Sequence, residues 1–378
     1  MTYLGGFRVL DLSRVLAGPL ATQILADLGA EVLKVEPPEG DVTRQWGPPF
    51  LGTDASYNQA INRNKASLVL DLRSDADRRR LGELAAGADA VVHNYTPSAA
   101  ERLGLADVLG RAARRAVVLG VTGYRGARRE DVGFDLVLQA EAGWMAITGP
   151  EEGEPYRVGV AVVDVLTGTM AAGGVLAALL RRERHGGGAV LGVSLFQSAL
   201  WSLVNVVQGH LATGEPTRRY GNRHPNLAPY ELFRAADGAL VIGVGTDAQY
   251  ERLCDLLGLA DPALRGLDNA ARVARRAAIG AAIGERVAER RRDELLASLR
   301  AQRIPAGPVL RPDEAVAACR SWDPGAVLAL DHESLGRLEY LAPPLEGSGL
   351  RADHRPPPGL GDGGEEMARR WLARTSRS

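Results

Sequence analysis

Cysteine is nearly absent from this sequence. Cys254 and Cys319 are the only two, and neither sits in a CxxC pair, which excludes a disulfide framework and a zinc-finger-type site. Lysine is equally scarce: of 45 Lys and Arg residues, only Lys34 and Lys65 are lysines. Where arginine is the default cation, a lysine marks a place that favours a slim point charge. That argument weighs more for Lys65 than for Lys34, which ends a strand. Neither charge sign dominates, with Lys+Arg 45 against Asp+Glu 46, so the basic surplus of a nucleic-acid binder is missing. No apolar run approaches the roughly 18 residues of a membrane span. The start, MTYLGGFRVLDLS, lacks a basic segment followed by a long apolar one. A cytoplasmic protein without membrane or nucleic-acid partners is the expectation. GxGxxG after the first strand, a GxSxG elbow, a Walker lysine and a Cys/His/Asp cluster at ligand spacing are all missing. No metal and no permanently bound cofactor is expected.

What is present is ample apolar content, 46% of 378 residues, enough for two or three domains at about 150 residues each. Phe7–Leu12 reads as a strand, Leu20–Leu28 as a helix stopped by Gly29, and Glu31–Val35 as a second strand. This βαβ unit implies a parallel sheet. Strands at Ser67–Leu72, Ala90–Asn94 and Ala116–Val121 alternate with helices at Asp75–Ala86 and Pro97–Leu103. The pattern predicts a doubly wound, Rossmann-like α/β domain. Further on, helices are expected at Phe134–Ala146, Thr169–His185 and Phe196–Gln208, with a strand at Ala189–Leu195. Gly214–Pro229 is the best linker. A smaller α+β unit follows, with a hairpin signalled by Asp237-Gly238 and a long Arg/Glu-decorated helical stretch at Arg272–Arg303. The expected division is a large domain over 1–213, completed by the tail 330–378, and a small domain over 225–329.

Several segments carry chemistry. The turn Ser13–Pro19 precedes a helix N-terminus that can receive an anion, and Arg14 adds a charge. Asn62-Arg63-Asn64-Lys65 supplies two amides and two cations suited to phosphate and adenine. His93–Pro97, running on to Arg102, lies beyond a strand end, where α/β ligand crevices form. Asp164 is the sharpest single residue. It ends the apolar run Arg157–Val163 just before a helix, where backbone N–H groups and the helix dipole would keep it ionised. Such a carboxylate is either a helix cap or a nucleophile. Asp135, in Gly133-Phe134-Asp135, reads as a cap for the helix that follows it.

Seven ordered segments, among them RVLDLSRVLAGPLATQILADLGAEVLKVEPPEGDVTRQW, NRNKASLVLDL, GFDLVLQAEAGWMAITG and YRVGVAVVDVLTGTMAAGG, resemble the class III CoA-transferase family, the formyl-CoA and carnitine-CoA transferase type. The resemblance covers nearly the whole chain. It implies an interlocked homodimer that moves CoA from an acyl-CoA to a carboxylic acid. Asp164 would be the catalytic carboxylate, passing through an aspartyl anhydride and an aspartyl-CoA thioester. Arg14, Lys65, Asn94, Tyr95, Arg102 and Tyr124 would line the CoA site. The related α-methylacyl-CoA racemases carry His where this chain has Phe134, and a glutamate near Thr246. Both departures favour the transferase. A CoA-binding homologue without turnover is the third reading. The family's FRPG becomes Tyr95-Thr96-Pro97-Ser98 here, and its GQxxDVSL becomes Gly188–Leu195.

Overall fold

The computed structural model describes residues 2–375. Its centre is a parallel six-stranded sheet of β1 (Arg8–Leu12), β2 (Glu31–Glu36), β3 (Lys65–Val69), β4 (Ala90–His93), β5 (Val117–Thr122) and β6 (Ala189–Ser194). In these labels the strand order is β3-β2-β1-β4-β5-β6. That is the doubly wound order, in which the chain reverses direction between β1 and β4 and leaves a crevice outside their carboxyl ends. Side chains alternate along each strand. Val9, Val32, Val92 and Leu119 face one apolar cluster, whereas Leu10, Leu33, Val91 and Val118 face another. Both faces are therefore covered, as an all-parallel sheet requires.

On the first face lie helices α1 (Ala17–Asp27), α2 (Asp135–Glu141) and α3 (Val162–His185). Helix α3 is long and apolar enough to cross a membrane, and half of its most apolar stretch is buried inside the protein. It packs along α1. A Cβ on Gly168 would come within 2.6 Å of the Ala17 carbonyl oxygen, so glycine there lets α3 approach the first turn of α1. On the second face, helices Asp75–Ala86 and Leu105–Ala112 pack with the C-terminal helix Gly364–Thr375, which buries Met367, Ala368 and Trp371.

The chain divides into two compact units. One comprises Met1–Trp144, Val158–Glu215 and Asp323–Ser378; the other comprises Met145–Arg157 and Pro216–Trp322. Met145–Arg157 thus groups with the second unit, although the sequence reading put it in the large domain. Within that unit Arg223 pairs with Glu151 at 3.1 Å, and Arg219 donates to the Gly153 carbonyl. The second unit is built on a three-stranded antiparallel sheet, Tyr230–Ala235, Gly238–Gly243 and Ala306–Pro308. Its core holds Leu240, Ile242, Tyr250, Leu253, Ile283 and Leu299.

Three expectations shift. The helix expected from Thr169 begins at Val162, inside the apolar run before Asp164, and Val160 in that run is exposed. The expected helix Phe134–Ala146 breaks at Gly143, whose φ is +90°. Phe196–Gln208 is divided between helices Leu195–Trp201 and Val204–Thr213.

Candidate active site

Arg14 follows β1, and Asn94 and Tyr95 follow β4, so the crevice at the strand-order reversal brings them together. Asn94 grips the backbone of Arg14 at both ends: its Oδ1 accepts the Arg14 N–H at 3.1 Å, and its Nδ2 donates to the Arg14 carbonyl at 2.9 Å. The Arg14 guanidinium lies 5.6 Å from the Tyr95 ring centre, a cation–π arrangement. A cavity of about 450 Å³ is lined by Arg14, Asn94, Tyr95, Arg102, Phe134 and Asp164, among others. A second, of about 220 Å³, shares Arg14, Tyr95 and Arg102 and extends over the carboxyl ends of β2 and β3 to Glu36, Leu70 and Arg73. Together they give an elongated cleft with a carboxylate in one part and guanidinium groups where the parts meet.

Asp164 occupies the first turn of α3 and is only 8% exposed. Ala17, the first residue of α1, lines the same cavity as Asp164, and its backbone N–H favours the charged form of the carboxylate. The helix dipole was expected to keep it fully ionised. Instead, burial and the neighbouring Asp135 outweigh the Ala17 bond and push its pKa up to about 7. Asp135 is also placed differently from the expectation. Its Oδ1 accepts the N–H groups of Val163 at 2.8 Å and Asp164 at 3.4 Å. It therefore caps α3, not the helix that it begins. Gln139, one turn along α2, is fully buried and clamps the approach to α3. Its amide donates to the Val160 carbonyl at 3.2 Å and accepts from the Val158 N–H at 2.8 Å. This cap explains why the helix starts at Val162: Asp135 satisfies N–H groups that an apolar start leaves open. Tyr57, which the sequence did not single out, lies in the same electrostatic neighbourhood. Burial, then Asp164, Asp135 and Asp41, push its hydroxyl up to about 12.

Two residues expected at the CoA site, Lys65 and Tyr124, do not line this cleft. Lys65 is buried, and its ammonium donates to Asp11 at 3.0 Å, to the Pro19 carbonyl at 2.8 Å and to Asn62 Oδ1 at 2.8 Å. An ammonium has three donors, so none remains for a phosphate. Burial pulls it down to about 8, and it stays charged at neutral pH. The rest of Asn62–Lys65 is also internal: Arg63 pairs with Asp27 at 2.6 Å, and Asn64 bonds Asp27 at 2.7 Å. Tyr124 is buried with its hydroxyl on Glu141 at 2.9 Å and Arg128 over its ring. Its neighbours Thr122 and Gly123 line the cleft in its place. Among the described residues, no group of three or more His, Cys, Asp or Glu side chains is arranged to hold a metal.

Beneath the cleft, the turn Ser13–Leu16 is held in an unusual shape. Val15 has φ +71°, a region that a β-branched residue seldom enters and that stores about 1–3 kcal/mol of strain. Lys34 and Asp41, both fully buried, pair at 3.0 Å directly under it.

The whole chain bears these features in the company of known proteins. The CoA-transferase family III model matches residues 4–363. The chain belongs to this family. It is 36% identical over 368 residues to the succinyl-CoA:glutarate CoA-transferase of Mus musculus, covering 96% of this chain and 84% of that one. It is 35% identical to the succinate–glutarate CoA-transferase of Agrobacterium fabrum, covering 95% and 93%. The crystal structure of a CAIB/BAIF family protein from Brucella suis superposes with a TM-score of 0.84 at 35% identity, covering 98% of this chain and 99% of that one. A family III CoA-transferase uses acyl-CoA as substrate, which agrees with an elongated cleft that has cations along its length.

Proposed function

We propose that this enzyme moves CoA from succinyl-CoA to a dicarboxylic acid of glutarate size, with Asp164 as the covalent nucleophile. The observation that carries the reading is a carboxylate, 8% exposed, at one part of a cleft whose other part is lined by Arg14, Arg102 and Arg73. The substrates follow the activities named for the mouse and Agrobacterium relatives.

The chemistry suits a site with no obvious general base. Asp164 attacks the donor thioester carbonyl and expels CoA thiolate, leaving an aspartyl–acyl anhydride. The thiolate attacks the aspartyl carbonyl, which releases the donor acid as a carboxylate and leaves an aspartyl-CoA thioester. The acceptor carboxylate attacks that thioester, giving a second anhydride and thiolate. Thiolate attack on the acceptor acyl carbon yields the new acyl-CoA and regenerates Asp164. Every nucleophile and every leaving group is an anion, so no proton has to move. Two of the four attacks place a developing oxyanion on the Asp164 carboxyl group, whose charged form the Ala17 N–H favours. One preorganised donor of this kind is worth about 10²–10³ in rate. Low exposure favours a carboxylate nucleophile by stripping its water.

The racemase alternative needs a proton-transfer group on each face of the substrate α-carbon, and Phe134, which lines the cleft, exchanges none. The deciding experiment is intact-mass spectrometry after incubation with succinyl-CoA. Wild type is expected to gain a covalent acyl or CoA adduct and Asp164→Asn none. An adduct on Asp164→Asn, or deuterium exchange at the α-carbon of a 2-methylacyl-CoA without transfer, overturns the reading.

A cytoplasmic homodimer belongs to the same proposal. A separate cavity of about 1190 Å³, lined by Met170, Leu200, Trp201 and Val204 among others, leaves Trp201 74% and Val204 66% exposed. A patch of this kind on one chain is what a second copy would cover. Sedimentation at low concentration is expected to give twice the chain mass, and a folded monomer would refute it.

A further inference from the structure

We infer that Asp41 and Asn94 are positioning residues whose work is to hold the strained Ser13–Val15 turn, so that the Ala17 N–H stays aimed at Asp164. This rests on Asp164 being the nucleophile. The observation is a complete set of pins. Of the backbone polar groups from the Ser13 N–H to the Val15 N–H, each is held by a side chain. The Ser13 N–H donates to Asp11 at 3.0 Å, and the Ser13 carbonyl accepts from Lys34 at 2.9 Å. Asn94 takes both the N–H and the carbonyl of Arg14. The Val15 N–H donates to both Asp41 oxygens, at 3.4 and 3.3 Å.

Side chains that hold five of the six backbone polar groups of a three-residue turn are not needed to start a helix; one cap suffices. The turn is held against its own preference, because Val15 sits at φ +71°. What the turn delivers is Ala17, the next residue but one and the first of α1, whose N–H reaches Asp164. Asp41 is itself fixed from three sides. Lys34 bonds one oxygen, the Thr43 N–H and hydroxyl bond the other at 3.1 and 2.9 Å, and the Asp41 N–H donates to Glu36 at 2.9 Å. Asp41 is fully buried and does not line the cleft, so its effect on the reaction must pass through the turn.

The test is the pH dependence of adduct formation in a single turnover with succinyl-CoA, followed by intact mass. The charged and titratable groups around Asp164 are Asp135 from α2, Tyr57 from Ser56–Gln59, and Arg14, Arg102 and Asp131 in the cavity wall. All of them are unchanged in Asp41→Ala. Removing the negative charge of Asp41 would by itself lower the midpoint. Losing the Ala17 N–H raises it, so the two effects have opposite signs. Asp41→Ala is expected to raise the midpoint, to lower the plateau rate by about 10–10², and to leave the KM for the CoA substrate within about threefold. Glycine adopts positive φ at no cost. Adding Val15→Gly to Asp41→Ala should therefore bring rate and midpoint back to within about threefold of Val15→Gly alone. Should Asp41→Ala not fold, Asn94→Ala, at the solvent edge, carries the same forecast for the midpoint. A folded pin variant with midpoint and plateau of the wild type, or no recovery with Val15→Gly, overturns the inference. An adduct on Asp164→Asn would instead bring down the nucleophile assignment, so the two failures are told apart.

Discussion

Asp11 and Asp164 flank the same helix, both out of water, and their surroundings drive them in opposite directions. Asp11 accepts from Thr22 of α1 at 2.6 Å and pairs with Lys65 at 3.0 Å. Burial raises its pKa, but Lys65 and Lys34 overcome that and hold it at about 2. Asp164 has one backbone donor and a second carboxylate beside it, and is pushed to about 7. Burial raises both groups; the charges beside each decide whether that rise survives, as at Asp164, or is overturned, as at Asp11. The only two lysines in the chain both serve Asp11 and its surroundings. The cations of the cleft are all arginines, and among the described residues none is paired with Asp164. A carboxylate paired with a lysine would be stabilised in its ground state and blunted as a nucleophile.

The largest effect follows from exchanging the fates of the two. Asp164→Asn should keep the fold and lose about 10⁴–10⁶ in turnover, on the scale of other nucleophile deletions. It should also be the more stable protein at neutral pH and above. A carboxyl whose folded pKa is raised destabilises the native state as pH climbs from its unfolded value, 3.8, through about 7. The gain in melting temperature should be full at pH 8 and vanish near pH 4. Asp164→Asn less stable than wild type at pH 8 would show that the carboxylate is a structural support.

Lys65→Ala tests the other side. Removing one partner of a fully buried pair leaves Asp11 short of a cation and should cost about 3–5 kcal/mol by denaturant melts. The expectation from sequence was a loss of CoA affinity. A stable Lys65→Ala protein with weakened CoA binding would restore that view and break the comparison. The Asp11 contribution is present above pH 3.8 and lost as pH falls through about 2.

How far the sequence carried the reading divides along the same line. Strand–helix alternation located the strands of the sheet to within three residues at each end, because a strand with both faces buried leaves an unmistakable apolar run. Asp164, Arg14, Asn94, Tyr95 and Arg102 do meet at one cleft, since all follow strand ends or helix starts near the reversal point. Lys65 and Tyr124 do not line it. A strand-end lysine has the same local signature whether its ammonium points to solvent or under the strand, and only the positions of Asp11, Asn62 and Pro19 decide. The start of α3 was misplaced because its cap, Asp135, lies 28 residues from Val163, beyond any local pattern. Tyr57 lies in none of the resembling segments, and Asp41, although inside the first of them, has no local sign of its role; the proximity of both to the site is a product of the fold.

Arginines at the meeting point of the two cavities should give the next effect. Arg102 is exposed and lines both. Arg102→Ala should weaken CoA binding by about tenfold, the scale of one charge-assisted phosphate bond, and leave the melting temperature unchanged. Equal affinity by calorimetry would remove Arg102 from the CoA site and leave Arg14 as the remaining cation of the larger cavity.

The smallest effect is the most diagnostic. Asp135 acts on Asp164 in two ways: its charge raises the Asp164 pKa, and its oxygen caps α3. Asp135→Asn separates them, because asparagine caps helices about as well as aspartate but carries no charge. The pH profile of kcat/KM reports the free enzyme, so wild type should rise to a plateau through about 7. In Asp135→Asn the rise should move to lower pH, while the plateau changes by no more than a few fold. If the plateau collapses and the midpoint stays, the cap matters and the charge does not. A midpoint that moves upward would mean that a donor to Asp164 has been lost, and the like-charge account of its high pKa would be wrong.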